Sequence, residues 1–217
     1  LTHDEIIEII RKRKPKSIGI SATTYALPAT TTLAKRLRKE FPNLLIILGG
    51  AHANIAGMHA AENITSVDIV CYHSEGETVV LDILSKFSKH NFNRKTFLND
   101  ISTMKSIKGI IFRNKDEIVK NLPGDIIKDL DYLPLPAREL FPIERYVPLP
   151  NQYKKLPLTN MIVIRGCPYV CTFCDQAATT ARRRSPQKVL EEIKDVVEKY
   201  GVKEISFWDD TMSYHKK

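Results

Sequence analysis

Long apolar runs are absent from this sequence. No stretch approaches the roughly 18 residues that a bilayer-spanning helix needs, so no membrane span is expected. The first residues, LTHDEIIEII, hold neither the apolar stretch nor the small-residue cleavage site of a secretory signal. Cysteine is scarce. Four in 217 residues do not make a disulfide scaffold, and the cytoplasmic setting that these absences imply keeps thiols reduced. The net charge is +8, with basic knots RKRKPK at 11–16 and RRR at 182–184. No aromatic platform accompanies them, so they read as a solvated helix end and a loop, and nucleic acid is not the expected partner. What remains is ordinary soluble composition, 43% hydrophobic and 27% charged, enough for one or two cored domains.

Hydrophobic spacing predicts an amphipathic helix over 3–13 carrying Ile6, Ile7, Ile9 and Ile10. A short strand SIGIS (17–21) follows, then a helix over 29–40, an apolar strand NLLIILGG (43–50), a short helix over 54–62 and a third strand VDIVCY (67–72). A clear helix over 75–90 places Val79, Val80, Ile83, Leu84 and Phe87 on one side. Apolar strands alternating with helices predict a parallel sheet covered on both faces, with ligands at the carboxyl ends of the strands. Cys71 reads as a buried strand thiol. KGIIFRNKDEIVKN (108–121) predicts a hairpin turning at Asn114 to Asp116. The Pro-rich passage that follows forbids long regular elements and reads as a linker packed along a surface.

A second α/β unit starts near residue 158. LTNMIVIRG (158–166) is a predicted strand, and Ser185 caps a helix with Pro186 at its first position and Gly201 at its end. EISFWDD (204–210) is the next predicted strand. The expected domains are therefore 1–92, a connecting hairpin and linker over 93–157, and 158–217.

Three of the four cysteines fall in RGCPYVCTFCDQ, spaced C-x3-C-x2-C at Cys167, Cys171 and Cys174. They lie at the carboxyl end of a predicted strand, where α/β barrels keep their chemistry. A structural zinc site wants four ligands, and a [4Fe–4S] cubane normally takes four thiolates. Three thiolates leave one iron of a cubane free to coordinate a small molecule. The alternatives are a zinc site completed by a distant His or Cys, and a chance thiol cluster.

The spacing, the aromatic Phe173 before the last cysteine, the strand context and the following helix resemble the radical S-adenosylmethionine (SAM) superfamily. The resemblance implies that Cys167, Cys171 and Cys174 hold a [4Fe–4S] cluster, whose open iron binds the amino and carboxylate groups of SAM. It implies reductive cleavage of SAM to a 5′-deoxyadenosyl radical, with the electron coming from a reductant such as a flavodoxin or ferredoxin. Phe173 would lie by the adenine. Asp209 and Asp210, closing the second barrel strand, would receive the SAM amino group; their plain alternative is a helix N-cap pair.

The first half resembles cobalamin-binding domains, through S-x-T at Ser21 and Thr23, GG-x-H at Gly49, Gly50 and His52, and SEGE with Glu75 and Gly76. The implied fold is an N-terminal Rossmann-like parallel sheet of cobalamin-binding type, followed by the first βα units of a TIM-type barrel. With the "LPLPAREL" linker, the pairing is similar to B12-binding radical SAM proteins. Two departures bear on cobalamin. The Asp-x-His-x-x-Gly motif of a protein histidine ligand is absent, so a corrin would bind without one or not at all. Ser74 stands where the family has glycine, and its Cβ is expected to narrow the approach. A full barrel takes about 250 residues, and 60 remain from Leu158 onward, so the chain reads as a fragment cut at both ends.

The resemblance implies methyl transfer to an unreactive carbon or phosphorus, or a radical ring closure or rearrangement, on an unspecified small molecule. The competing hypotheses are an iron–sulfur or zinc binding module that contacts RNA, and a cobalamin carrier without chemistry. The missing histidine motif counts against the carrier.

Overall fold

The computed structural model describes residues 1–212. Contacts divide the chain into two units, Leu1–Ile126 and Ile127–Lys217. Among the described residues no helix is long and apolar enough to cross a membrane.

In the first unit, helix α1 (His3–Arg13) opens with a capping box. Thr2 Oγ1 accepts from Glu5 N, and the Glu5 carboxylate accepts from Thr2 N at 2.6 Å. Acidic residues in its first turn and basic ones in its last complement the helix dipole. The first basic knot is therefore a helix end: Arg11 is spent on Glu8 and on Glu40 at 2.6 Å.

Strands β1 (Ser17–Ser21), β2 (Leu45–Gly49) and β3 (Ile69–Cys71) run parallel, linked by α2 (Leu27–Glu40) and α3 (Ala51–Asn63). Helices α4 (Gly76–Lys89), α5 (Arg94–Asn99) and α6 (Ile101–Lys105) then lead to the hairpin β4 (Ile110–Asn114) and β5 (Glu117–Lys120). The hairpin turns at Lys115, where φ is +55°. It does not stand apart as a connector. It joins β3 antiparallel, Cys71 opposite Ile110, and completes one sheet in the order β1-β2-β3-β4-β5. The sheet is thus parallel over its first three strands and antiparallel over its last two.

Because side chains alternate across a strand, parity assigns each residue to a face. Leu45, Ile47, Ile69, Cys71, Ile110 and Phe112 pack with Val79, Ile83 and Phe87 of α4, Phe97 of α5 and Met104 of α6. Ile46, Leu48, Val70 and Ile111 face the other way, toward apolar residues of α1, α2 and α3. Each fully buried Leu, Ile or Phe contributes about 1.5–3 kcal/mol, and the twelve largest buried side chains all belong to this unit. Burial pushes the Cys71 thiol up to about 12, as suits a core residue.

At the amino end of β3, Asp68 is buried between two guanidinium groups. It accepts from Arg38 of α2 at 2.6 Å, from Arg94 of α5 at 2.5 and 2.9 Å, and from the main-chain N–H of Ile46 at 2.9 Å. One carboxylate thereby ties helices from both faces to the sheet.

The second unit opens with single 3-10 turns at Leu130–Tyr132, Arg138–Leu140, Ile143–Arg145 and Pro150–Gln152, as its proline content requires. Strand β6 (Leu158–Met161) is followed by a short pair, β7 (Ile164–Arg165) with β8 (Arg182–Arg183), then α7 (Pro186–Tyr200) and β9 (Glu204–Phe207). β6 and β9 are parallel, so β6-α7-β9 is a βαβ unit. Ser185 Oγ accepts from Lys188 N at 3.2 Å and Gly201 closes α7 at φ +61°. The strand expected over 158–166 is broken at Ile162–Val163, because the amides of Val163 and Ile164 turn to a carboxylate on the neighbouring strand.

Candidate functional sites

The cysteine loop grows out of β7 and returns through β8. Gly166 starts it at φ +87°, and a Cβ there would land on the Thr180 carbonyl, so only glycine fits. The loop is stitched across its base. Cys167 N donates to Thr179 Oγ1 at 2.8 Å, Thr179 N to Cys167 O at 2.9 Å, and Ala178 N to Tyr169 O at 2.7 Å. Within it, Cys174 N donates to Cys171 O and Ala177 N to Cys174 O. All three thiols are free; Cys171 is exposed, Cys167 and Cys174 half-buried. Phe173 is 91% exposed, its ring open to a ligand. Among the described residues, no three His, Cys, Asp or Glu side chains converge on one point as a single metal ion would require. The loop carries three free thiols within eight residues of chain, and among the described residues no fourth donor is grouped with them. That donor set fits a cubane, whose irons are spread apart and one of which takes no protein ligand.

Asp209 lies just past the end of β9. Its Oδ1 accepts from Val163 N at 2.7 Å and from Ile164 N, which ties the second strand to the chain entering the cysteine loop. Its Oδ2 is buried and has no partner among the described residues. A lone buried carboxylate oxygen is costly unless something donates to it, and a cationic amino group fits that need. Asp210 is exposed. Trp208 is held by its N–H to Met161 O at 3.0 Å, with its ring 66% exposed.

Beneath the loop lies a group that sequence spacing did not single out. Glu192 of α7 is 1% exposed. Its Oε1 accepts from Arg138 at 2.6 Å and its Oε2 from Arg184. Arg138 also donates to Asn160 O at 3.2 Å. Arg184 N donates to Val163 O at 2.9 Å, and Arg182 Nη1 to Ile127 O at 2.6 Å. Two members of the second basic knot are therefore structural. The signal that could have shown this is an acidic residue at a position of α7 that shares the buried side with Val196.

In the first unit, the expected corrin-site residues gather at the carboxyl ends of β1, β2 and β3. The loops after β1 and β2 are joined: Ala22 N donates to Gly49 O and His52 N to Ala22 O, both at 3.0 Å. Gly50 has φ +91°, and a Cβ there would sit 2.7 Å from Ala22 N and Ser21 Oγ. A Cβ on Gly49 or Gly76 would meet nothing within 4 Å, so the backbone at both is open to a flat ligand. Ser21 and Thr23 are exposed; Thr23 Oγ1 accepts from Ala26 N and shapes the turn. His52 is 5% exposed, its Nδ1 lies 3.1 Å from Thr24 Oγ1, and its buried Nε2 has no partner among the described residues. Glu75 precedes α4 and its carbonyl accepts from Val79 N and Thr78 Oγ1. Ser74 does not narrow the approach as expected. Its Cβ faces Gly109 and Gly124, where an added Cβ would come within 2.7 and 2.5 Å of it. The open glycine edge and the unpartnered imidazole nitrogen fit a broad ligand with amide or phosphate groups.

Both units have counterparts among known families. Residues 1–82 match the B12 binding domain, and residues 161–217 match the radical SAM superfamily. The chain thus resembles the B12-binding radical SAM proteins, one domain in each half. An uncharacterized methyltransferase of Pyrococcus horikoshii is 28% identical over 220 residues, covering all of this chain and 44% of that protein. The anaerobic magnesium-protoporphyrin IX monomethyl ester cyclase of Cereibacter sphaeroides is 27% identical over 219 residues, covering all of this chain and 34% of that one. A cobalamin-dependent radical SAM methyltransferase of Streptomyces tokunonensis is 26% identical over 191 residues, covering 83% of this chain and 25% of that one. The chain spans less than half the length of these relatives, and its cysteines Cys167, Cys171 and Cys174 fall within the stretch that matches the radical SAM superfamily.

Proposed function

We propose that the protein is a radical SAM enzyme linked to cobalamin, which transfers a methyl group to an unreactive carbon or phosphorus centre or closes or rearranges a ring. The observation that carries this is the stitched loop from Gly166 to Thr180, which presents three free thiols and, among the described residues, no fourth donor. When bound, the cluster would supply the electron that cleaves SAM, and cobalamin a carrier for a methyl group.

The chain's own residues prepare that chemistry. Cys167, Cys171 and Cys174, deprotonated, would hold the cluster. The loop's internal hydrogen bonds hold the main chain that carries the three cysteines. Phe173 offers an exposed ring face for the adenine of SAM. Asp209, already oriented by Val163 and Ile164, offers its unpartnered Oδ2 to the SAM amino group, and exposed Asp210 adds negative charge beside it. Ser21, Thr23, Gly49, Gly50, His52, Glu75 and Gly76 would receive the corrin edge and its substituents. The relatives include both methyltransferases and a cyclase, so their names support the class of reaction and leave the substrate open.

The test is low-temperature EPR on the anaerobically reconstituted, dithionite-reduced chain, with and without SAM. A [4Fe–4S]+ signal that shifts on adding SAM supports the assignment. A colourless chain holding one tight zinc overturns it.

A further inference from the structure

The first unit holds a recess that neither the glycine edge nor the cysteine loop accounts for. Its volume is about 740 Å³. Tyr72 and His73 line it at the end of β3, Lys105 at the end of α6, and the stretch from Val119 to Pro123 on and after β5.

The recess is braced from within. Tyr72 is 3% exposed and its hydroxyl donates to Asn121 O. The Asn121 side chain donates to Met104 O at 2.8 Å and Ile107 O at 2.7 Å, and its main-chain N–H to Ile110 O at 3.0 Å. Gly124 N donates to His73 O at 3.0 Å. These bonds tie the ends of β3, β5 and α6 together, so the side chains they carry face one fixed space. His73 is held at φ +39°, a left-handed backbone uncommon for a non-glycine residue.

The charge in this space is one-sided. Lys120 Nζ stands 4.8 Å from the Tyr72 ring centroid, and the His73 ring meets the same ring edge-on at 5.7 Å. A cation over an aromatic face is held without being neutralised. Among the described residues, no Asp or Glu lines the recess. Among the described residues, Lys105, Lys120 and His73 form no ion pair, whereas Lys86 and Lys108 of the same unit are matched with Asp82 and Asp125. Unmatched cations around one concavity focus a positive potential and attract an anion. Val119, Leu122 and Pro123 give the same space an apolar wall.

We propose that this recess binds a small phosphate-bearing organic molecule, its phosphate between Lys105 and Lys120 and its organic part against Val119, Leu122 and Pro123. Phosphate is favoured over carboxylate by the donors. Compact ammonium groups suit a phosphate dianion as point charges, whereas a planar carboxylate is better served by an arginine fork, and among the described residues no arginine lines the recess.

The experiment is a titration of the ¹⁵N-labelled chain with phenyl phosphate and with inorganic phosphate, against sodium chloride at matched ionic strength. Saturable shifts at the amides of His73, Lys120 and Asn121, with phenyl phosphate the tighter probe, are expected. Lys105→Ala and Lys120→Ala should each weaken phenyl phosphate about tenfold. Both lysines are exposed, so neither variant should disturb the fold, and unchanged shifts elsewhere in the spectrum check this. Shifts that sodium chloride reproduces, no saturable shift at all, or undiminished binding in the double variant would each overturn the proposal. No cluster, SAM or cobalamin enters the experiment, so its outcome is separate from that of the proposed function.

Discussion

Glu192 and Arg138 meet at 2.6 Å although they stand 54 positions apart in the chain, and both are more than nine-tenths buried. Arg184 holds the other oxygen of the same carboxylate. The cluster therefore carries two positive charges against one negative. Arg138 Nη1 and Arg184 Nε are each buried without a partner among the described residues. One carboxylate keeps the Pro-rich segment, the return strand of the cysteine loop and α7 in a single arrangement.

Glu192→Gln is expected to destabilise the second unit by about 3–5 kcal/mol, the usual cost of removing one partner from a buried charged group. The glutamine fills the same space but leaves two guanidinium groups without a counter-charge. Urea denaturation followed by the fluorescence of Trp208, the chain's one tryptophan, measures it. A midpoint equal to that of the parent would show that the triad carries no net stability.

Asp68→Asn makes the matching prediction for the first unit. Burial pulls the Arg38 guanidinium down, and Asp68 is the group that pushes it back up. Removing that charge should cost about 3 kcal/mol or more. Circular dichroism at 222 nm against urea should show the loss mainly in the helical first unit. Asp68→Leu is the sharper comparison, because it also removes the acceptor for Ile46 N.

The second unit should weaken in acid. Asp131 accepts hydrogen bonds from the side chain and the main-chain N–H of Ser185, and these hold its carboxyl below the usual carboxylate range. A depressed folded-state pKa contributes stability that is present above the unfolded value, near 3.9, and is lost as pH falls through the folded value. Stability should therefore decline below about pH 4. Asp131→Asn should flatten that part of the pH profile. A profile unchanged by the substitution would show that Asp131 does not anchor the start of α7.

Gly166→Ala should impair cluster assembly more than it impairs the fold. The alanine Cβ would meet the Thr180 carbonyl, and φ would have to leave +87°. The base of the loop would then open. Iron content after anaerobic reconstitution should fall well below one cluster per chain, while the far-ultraviolet spectrum stays near that of the parent. Full iron incorporation would mean that the loop tolerates a different entry angle.

The sequence was most informative where causes are local. Ser185 with Pro186 before α7, Gly201 after it and the turn at Lys115 all act within a few residues and were legible. The Cys167, Cys171 and Cys174 loop was legible for the same reason: its donors lie within eight residues. Long-range pairings were hidden. The hairpin could be read, but that its edge pairs with β3 depends on residues forty apart. Glu192 looked like one more solvated charge on an amphipathic helix, because its partners lie eight and 54 residues away. Ser74 looked like an obstruction, and only the opposing Gly109 and Gly124 show where its Cβ goes.

Asp209 supports a prediction that separates structure from ligand binding. Its two oxygens have different duties: Oδ1 holds the amides of Val163 and Ile164, and Oδ2 is buried and unpartnered among the described residues. Asp209→Asn keeps an oxygen for the two amides while removing the charge. Asp209→Ala removes both. If Oδ2 receives the SAM amino group, the asparagine variant should assemble its cluster normally and lose SAM affinity by about tenfold, since charged hydrogen bonds contribute about 1.5–3 kcal/mol. The alanine variant should lose SAM affinity and also assemble less cluster, because the chain entering the loop is no longer tied to β9. Iron content and the SAM-dependent EPR shift, measured on both variants, give the two readouts independently. Unchanged SAM affinity in the asparagine variant would confine Asp209 to holding the loop.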